Sequence, residues 1–352
     1  MKRLLIFLGI IAVFAYSCET DFDVTADYKD ITIVYGLLSQ NDTVQYIRIN
    51  RAFLGDGNAL EMAAIPDSSY YPFGAIEVWI EEWKDGRFVG SFQLEETTLN
   101  SKEPGIFPYP EQRIWFYRTY PGTASEIDED SEYRLFIKNN LTGKTSTGIT
   151  DIVTTFSIER PIFPLQLGLA YEFEGNIDYN DLDFVWYGAK NAFRFEPSFR
   201  FYYGEVFDSN TNDTIWKELT YNLLSMRSTK GSSSEKFETS MMGESFFRFL
   251  ESHIEVREDV KRYPGRSMNP DYHCDIFFSA ANEIYSVFLD VNEPATGINQ
   301  EKPDYTNITN GIGIFASRRA IRRGPYKLKP ETLDVLRERS EYTNRLRFMT
   351  YH

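Results

Sequence analysis

The sequence predicts a mainly β protein: an N-terminal immunoglobulin/fibronectin-like sandwich over residues 25–158, then a second β-rich domain over residues 165–352 with one or two short helices. Three observations carry this. Phe, Tyr and Trp number 28, 23 and 5, or 16% of the chain, and such rings pack well across pleated strands. Apolar and polar residues alternate in short runs broken by turn pairs, which is the period of a half-buried strand. Apolar spacing of three and four, the mark of a helix, is confined to two stretches. A length of 352 residues exceeds one typical domain, so two are expected.

In the first half, Ile31-Thr32-Ile33-Val34-Tyr35 and Val44-Gln45-Tyr46-Ile47-Arg48-Ile49 alternate, with Gln40-Asn41-Asp42 turning between them. Residues 76–83 and 87–94 form the clearest hairpin, because Asp85-Gly86 tolerates the positive φ of a two-residue turn. Strands follow at Trp115-Phe116-Tyr117, at 133–138 and, after the Thr142-Gly143 turn, at 145–153. Ile127 followed by Tyr133 resembles a tyrosine corner, in which the hydroxyl bonds backbone just upstream. Arg160-Pro161-Ile162-Phe163-Pro164 is a linker, since two prolines block continued pairing.

Beyond it, strands are expected at 184–187, 194–206, 214–219, 276–278 and 285–291. Phe199-Arg200-Phe201-Tyr202-Tyr203 alternates as a half-buried sheet should. A helix is expected over 244–256, with Phe246, Phe247, Leu250 and Ile254 on one face. A second, over 330–339, opens with Pro330 at its first position.

The front of the chain bears on compartment. Lys2-Arg3, an uninterrupted apolar run over 4–14 and the ending Ala15-Tyr16-Ser17-Cys18 read as a signal peptide over 1–17. Eleven apolar residues reach across only about half a bilayer, too few for a membrane-spanning helix. The ending resembles a lipobox, although Tyr16 stands where a small or aliphatic residue is usual. Cys18 is therefore the expected lipidation site, and an ordinary secretory signal is the alternative. Residues 18–24 form an acidic tether through Glu19, Asp21 and Asp23. It resembles the surface-export signal of Bacteroidota lipoproteins, and a plain solvated linker has the same composition. The expected location is the outer membrane, lipid-anchored and facing the exterior. Cys18 and Cys274 are the only cysteines, so acylation of the first rules out an intramolecular disulfide and leaves stability to the core. A net charge of −15 repels phosphate backbones and argues against nucleic-acid partners.

Residues that could carry chemistry are few. His253, His273 and His352 are the only histidines, and His352 is terminal. His273 and Cys274, adjacent on a strand, point to opposite faces and cannot share a metal. Asn176-x-Asp178-x-Asn180 begins like a calcium loop but has Asp181 at the glycine position and Tyr187 at the twelfth; Asp128-Glu129-Asp130-Ser131-Glu132 also lacks the glycine. Glu81-Glu82 and Glu95-Glu96 face opposite sides of their strands. Catalysis, a cofactor and a metal are accordingly not expected. Tyr70-Tyr71-Pro72-Phe73, Phe107-Pro108-Tyr109-Pro110 and, more weakly, Tyr120-Pro121 offer aromatic faces to a glycan or peptide ligand, or else fold back as lids on the sandwich.

The most distinctive stretch is Tyr305-Thr306-Asn307-Ile308-Thr309-Asn310-Gly311-Ile312-Gly313-Ile314-Phe315, a turn at Asn310-Gly311 followed by an apolar strand. It resembles the "N-I-x-N-G-x-G-x-F" signature of a family of Bacteroidota outer-membrane lipoproteins of unknown function, commonly encoded beside TonB-dependent receptors. The resemblance extends to Val34-Tyr35-Gly36-Leu37-Leu38, Ile49-Asn50-Arg51-Ala52-Phe53, the strands from Trp186 to Tyr203 and Phe246-Phe247-Arg248-Phe249-Leu250. It implies the two-part β architecture, residence at the outer membrane, a TonB-dependent receptor as partner, and no assigned catalytic residue. Asn307, Asn310, Gly311 and Gly313 are read as a structural turn, with ligand contact as the alternative.

Overall fold

The computed structural model describes residues 31–52, 59–105, 107, 110–120, 122–123, 125–292 and 305–350. The expected signal peptide, Cys18, the tether, Phe53, Pro108, Tyr109, Pro121 and His352 lie outside the described residues. Strand accounts for 49% and helix for 14%, so the protein is mainly β, with several sheets and few short helices.

The first unit runs β1 (Thr32–Leu38), β2 (Val44–Arg51), short helices α1 (Ala59–Ala63) and α2 (Pro66–Ser69), β3 (Ile76–Lys84), β4 (Arg87–Gln93), β5 (Glu95–Leu99), β6 (Gln112–Arg118), β7 (Glu132–Asn139) and β8 (Thr145–Asp151). One sheet orders them β1-β2-β6-β5 and the facing one β8-β7-β3-β4, the immunoglobulin/fibronectin arrangement. Alternation decides which side chains enter. Ile76, Val78 and Ile80 point inward from β3 to meet Val34, Leu38, Ile47 and Ile49 of the other sheet. Asp85 and Gly86 both have positive φ, 49° and 72°, as a tight hairpin between β3 and β4 requires. Tyr133 is fully buried, and its hydroxyl accepts a 2.8 Å bond from the Asp128 N–H, closing the expected corner.

The second unit contains β9 (Ile158–Arg160), β10 (Ala170–Phe173), β11 (Asn176–Tyr179), β12 (Leu182–Tyr187), β13 (Arg194–Phe207), β14 (Asn210–Asn222), β15 (Met226–Arg227) and β16 (Lys236–Met241). Helix α3 (Gly243–His253), β17 (Val260–Pro264), β18 (Cys274–Ala281), helix α4 (Glu283–Asn292), β19 (Ile308–Thr309), β20 (Gly311–Tyr326) and α5 (Pro330–Asp334) complete it. Helix α3 lies over the long sheet: Phe246 sits 5.4 Å, centroid to centroid, from both Phe199 and Phe201, and Phe247 and Leu250 are fully buried beside it. The helix expected over 330–339 is α5 followed by a π-helical turn at Val335–Arg339, closed by Ser340 N–H donating to the Val335 carbonyl.

One expected strand is a helix. Residues 285–291 lie in α4, because Asn282 ends β18's extended run as an N-cap. Its Oδ1 accepts the Tyr285 N–H at 3.0 Å and its carbonyl accepts that of Ser286 at 2.9 Å. The apolar run Ile284-Tyr285-Ser286-Val287-Phe288-Leu289 lacks strict alternation, so local capping outweighs its β-branched content.

Strand β20 joins the two units. Its first half pairs parallel with β1, from Thr32↔Gly311 to Leu38↔Ser317, and its second half pairs antiparallel with β18, from Ala281↔Arg318 to Cys274↔Tyr326. The result is one continuous sheet, β14-β13-β18-β20-β1-β2-β6-β5. Just before it, β19 pairs with β8 of the opposite sheet. The sandwich thus takes two strands from beyond the proline linker, a pairing that a division at residues 158–165 leaves out.

Candidate binding cleft and sandwich seam

The seam is where the distinctive C-terminal stretch lies. The Asn307 amide donates to the carbonyls of Ile149 (2.9 Å) and Phe315 (2.7 Å), while its oxygen accepts the Phe315 N–H (2.9 Å). Asn310 holds φ at 55°, donates to the Thr145 carbonyl at 3.0 Å, and offers its own carbonyl to the Ser146 hydroxyl at 2.9 Å. A Cβ on Gly311 would stand 2.7 Å from the Thr32 carbonyl oxygen. Gly313 has φ 103°, and a Cβ there would penetrate the Val34 carbonyl oxygen and lie 2.9 Å from its carbon. All four residues hold β19 and β20 against both sheets, and the amides of Asn307 and Asn310 go to backbone partners.

A second constellation arises on the outer face of the second sheet. Period two sends Phe199, Phe201, Cys274, Ile276 and Phe278 into the core, so Arg200, Tyr202, Asp275 and Phe277 project the other way. Asp275 is nonetheless fully buried, because three neighbours close over it. Arg322 approaches side-on, with Nε 2.9 Å from Oδ2 and Nη2 3.0 Å from Oδ1. Arg266 Nη2 lies 3.2 Å from Oδ2, and the Tyr202 hydroxyl donates to the same oxygen at 2.9 Å. Burial, and then the bond to Asp275, push the Tyr202 phenol up to about 12. Two backbone features shape this wall. A Cβ on Gly324 (φ 140°) would strike the Asp275 carboxylate, and one on Gly265 (φ 144°) would lie 2.8 Å from Pro270 Cα.

Above this network opens a cleft of about 670 Å³. Trp216, Lys217 and Glu218 of β14 form one side, and the β17–β18 loop with Arg266, Asn269 and Tyr272 forms the other. Its floor is the Tyr202 ring, with the Arg266 guanidinium 4.3 Å from the ring centroid. A larger cleft of about 880 Å³ lies beside the tyrosine corner, lined by Glu82, Glu126, Asp128, Glu129 and Arg319. There Glu129 binds Arg319 at 3.0 Å and Asp128 binds Lys84 at 2.6 Å.

The other residues singled out in the sequence fall into separate places. His273 Nδ1 accepts the Leu328 N–H at 3.0 Å, and burial lowers the imidazole to about 4. The Cys274 thiol is enclosed in the core, and burial raises it well above its ordinary value. Among the described residues no group of three His, Cys, Asp or Glu side chains is placed to hold a metal ion. Asn176 and Asp178 lie on β11, hydrogen-bonded to β10, and Asn180 follows its end; all three side chains are exposed to solvent.

Glu81 accepts bonds from the Trp79 and Trp83 indoles, whereas buried Glu82 accepts one from Ser131, so the two face opposite ways. Glu96 pairs with Arg113. His253 is exposed on α3, within 2.9 Å of the Phe249 carbonyl. Of the aromatic–proline clusters, Tyr70 and Tyr71 are buried while Phe73 is 78% exposed, with Arg113 3.9 Å over its ring.

The cleft residues Tyr202, Trp216, Arg266 and Arg322 went unmarked in the sequence. His273 and Cys274 stand out in the sequence, yet it is the neighbouring Asp275 that gathers Arg266, Arg322 and Tyr202. Positions 202, 216, 266, 275 and 322 meet only through the pairing of β14, β13, β18 and β20. Set against known proteins, the chain matches no protein-family model and no curated protein.

Proposed function

We propose that the protein is a lipid-anchored, non-enzymatic accessory partner of a TonB-dependent receptor at the outer membrane, acting in nutrient capture or uptake. The observation that carries this reading is Cys18 standing directly behind an eleven-residue apolar run and Ala15-Tyr16-Ser17. The burial of Cys274 supports it, since that thiol is closed off from an acyl donor. The open cleft with basic and aromatic walls supports a binding role. Tethering confines the protein to the plane of the membrane and raises its effective concentration near a transporter. Bacterial lipoproteins resemble one another in carrying several acyl chains, enough for durable anchoring.

Metabolic labelling with a tagged fatty acid, followed by membrane fractionation, tests the anchor. The native chain takes up label and sediments with outer membrane, and Cys18→Ala does neither. A Cys18→Ala chain that matures and sediments identically overturns the anchor. Affinity purification from mildly solubilised outer membranes tests the partner: a co-purifying barrel receptor is expected, and recovery of the chain alone counts against the accessory role.

A second reading, a structural or adhesive surface protein, draws support from β14, a 13-residue strand at the end of its sheet with most side chains exposed. It predicts concentration-dependent assembly of the purified chain by light scattering.

A further inference from the structure

We infer that the cleft between β14 and the β17–β18 loop binds a carboxylate-bearing sugar, the ring resting on aromatic faces and the carboxylate meeting the arginine pair. The inference deepens the capture reading and rests on it for its purpose.

Charge decides the sign of the ligand. Around the cleft, Arg200 is matched by Glu218 at 3.0 Å and Lys327 by Asp271 at 2.9 Å. The remaining basic groups outnumber their partners. Arg266 and Arg322 share the single carboxylate of Asp275. One carboxylate thus answers two cations, a local excess of positive charge in a chain whose net charge is −15. Both arginines reach solvent, with side chains 28% and 46% exposed, while Asp275 beneath them does not. Held by that buried carboxylate, the guanidinium planes are ordered before a ligand arrives, so less side-chain entropy is lost on binding an anion.

Shape and polarity decide the rest. Trp216 is seated against Gly204, where a Cβ would come within 3.2 Å of the indole, so its ring is held at the cleft wall. Tyr202 and Tyr272 supply further rings. Between these faces stand Glu218, Ser267 and Asn269, which suit hydroxyl groups better than an apolar acid. A cleft of about 670 Å³ is in the range that holds small ligands. Aromatic stacking, hydroxyl partners and paired guanidiniums together fit a uronic or sialic acid unit.

The test is calorimetric titration of the full chain in detergent with trigalacturonate and with sialyllactose, each against its uncharged counterpart, the methyl-esterified trimer and lactose. At least one acid is expected to bind tenfold or more tightly than its neutral counterpart. Arg322→Gln is expected to erase that preference, and Tyr272→Ala to weaken acid and neutral sugar together. A native circular dichroism spectrum is the folding control for both, since Arg322→Gln leaves buried Asp275 short of a partner and lowers the melting temperature. Equal binding of acid and neutral forms overturns the inference. So does failure of both acids at millimolar concentration, or selective binding of an acetylated tripeptide acid in their place. Acyl labelling of the native chain beside its titration separates the two readings: acid-selective binding by a native chain that takes up no label sinks the anchor alone, and a labelled chain blind to both acids sinks this inference alone.

Discussion

Replacing Gly313 with alanine tests whether the seam depends on close backbone approach. At φ 103° an L-residue is strained by about 1–2 kcal/mol. The added Cβ would also penetrate the Val34 carbonyl oxygen and lie 2.9 Å from its carbon and 3.1 Å from its nitrogen. Those are backbone atoms of β1, so no side-chain rotation relieves the clash. β1 and β20 must part by about half an ångström or more, which weakens the ladder on either side of Val34↔Gly313 by about 1 kcal/mol per bond. It also shifts fully buried Val34, with a repacking cost of about 1 kcal/mol or more. The expected loss is about 3–5 kcal/mol.

Gly86→Ala is the control, since Gly86 has φ 72° with nothing within 4 Å, leaving only about 1 kcal/mol of backbone strain. The assay is hydrogen exchange at amides 33–37 with the denaturation midpoint alongside, because exchange reads opening of this seam even when the rest of the chain stays folded. Equal exchange in the two variants would refute the close-approach argument.

Two further predictions concern the fold's buried polar groups. Tyr133→Phe removes the hydroxyl that accepts the Asp128 N–H and is expected to cost about 1–2 kcal/mol in thermal or chemical denaturation; an unchanged midpoint would show that the corner bond contributes nothing. His273 is held neutral, its folded value lowered to about 4 from the ordinary 6.5, so below pH 6.5 the unfolded chain takes up a proton that the folded one refuses. Its contribution is therefore complete above pH 6.5 and lost as pH falls toward 4, by about 3 kcal/mol at most. His273→Gln should have a flatter stability curve across that window than the native chain, as measured by denaturant midpoints at stepped pH, and parallel curves would contradict it.

Local chemistry accounts for what was readable along the chain. The Asp85-Gly86 turn, the Ile127–Tyr133 corner, the inward face of α3 and the alternation of β1, β3 and β13 are all set by neighbours within a few residues. Period and turn propensity therefore express them directly. The same locality explains the error at 285–291, where one capping side chain, Asn282, outweighed a run of strand-forming residues. The asparagines and glycines of the 305–315 stretch stood out as a turn, and the reason for each lies in distant partners: Thr32, Val34, Thr145 and Ile149.

By itself the sequence determined the mainly β class, the proline break between two strand-rich stretches, and the expectation of an acylated Cys18. Only the tertiary structure decided that β20 belongs to both units, and that Asp275, Arg266, Arg322, Tyr202 and Trp216 share one cleft. The physical reason is that strand pairing is not written locally. Hydrogen bonds between backbones are the same for every residue, so the partner of a strand is chosen by which faces bury together across a hundred residues or more.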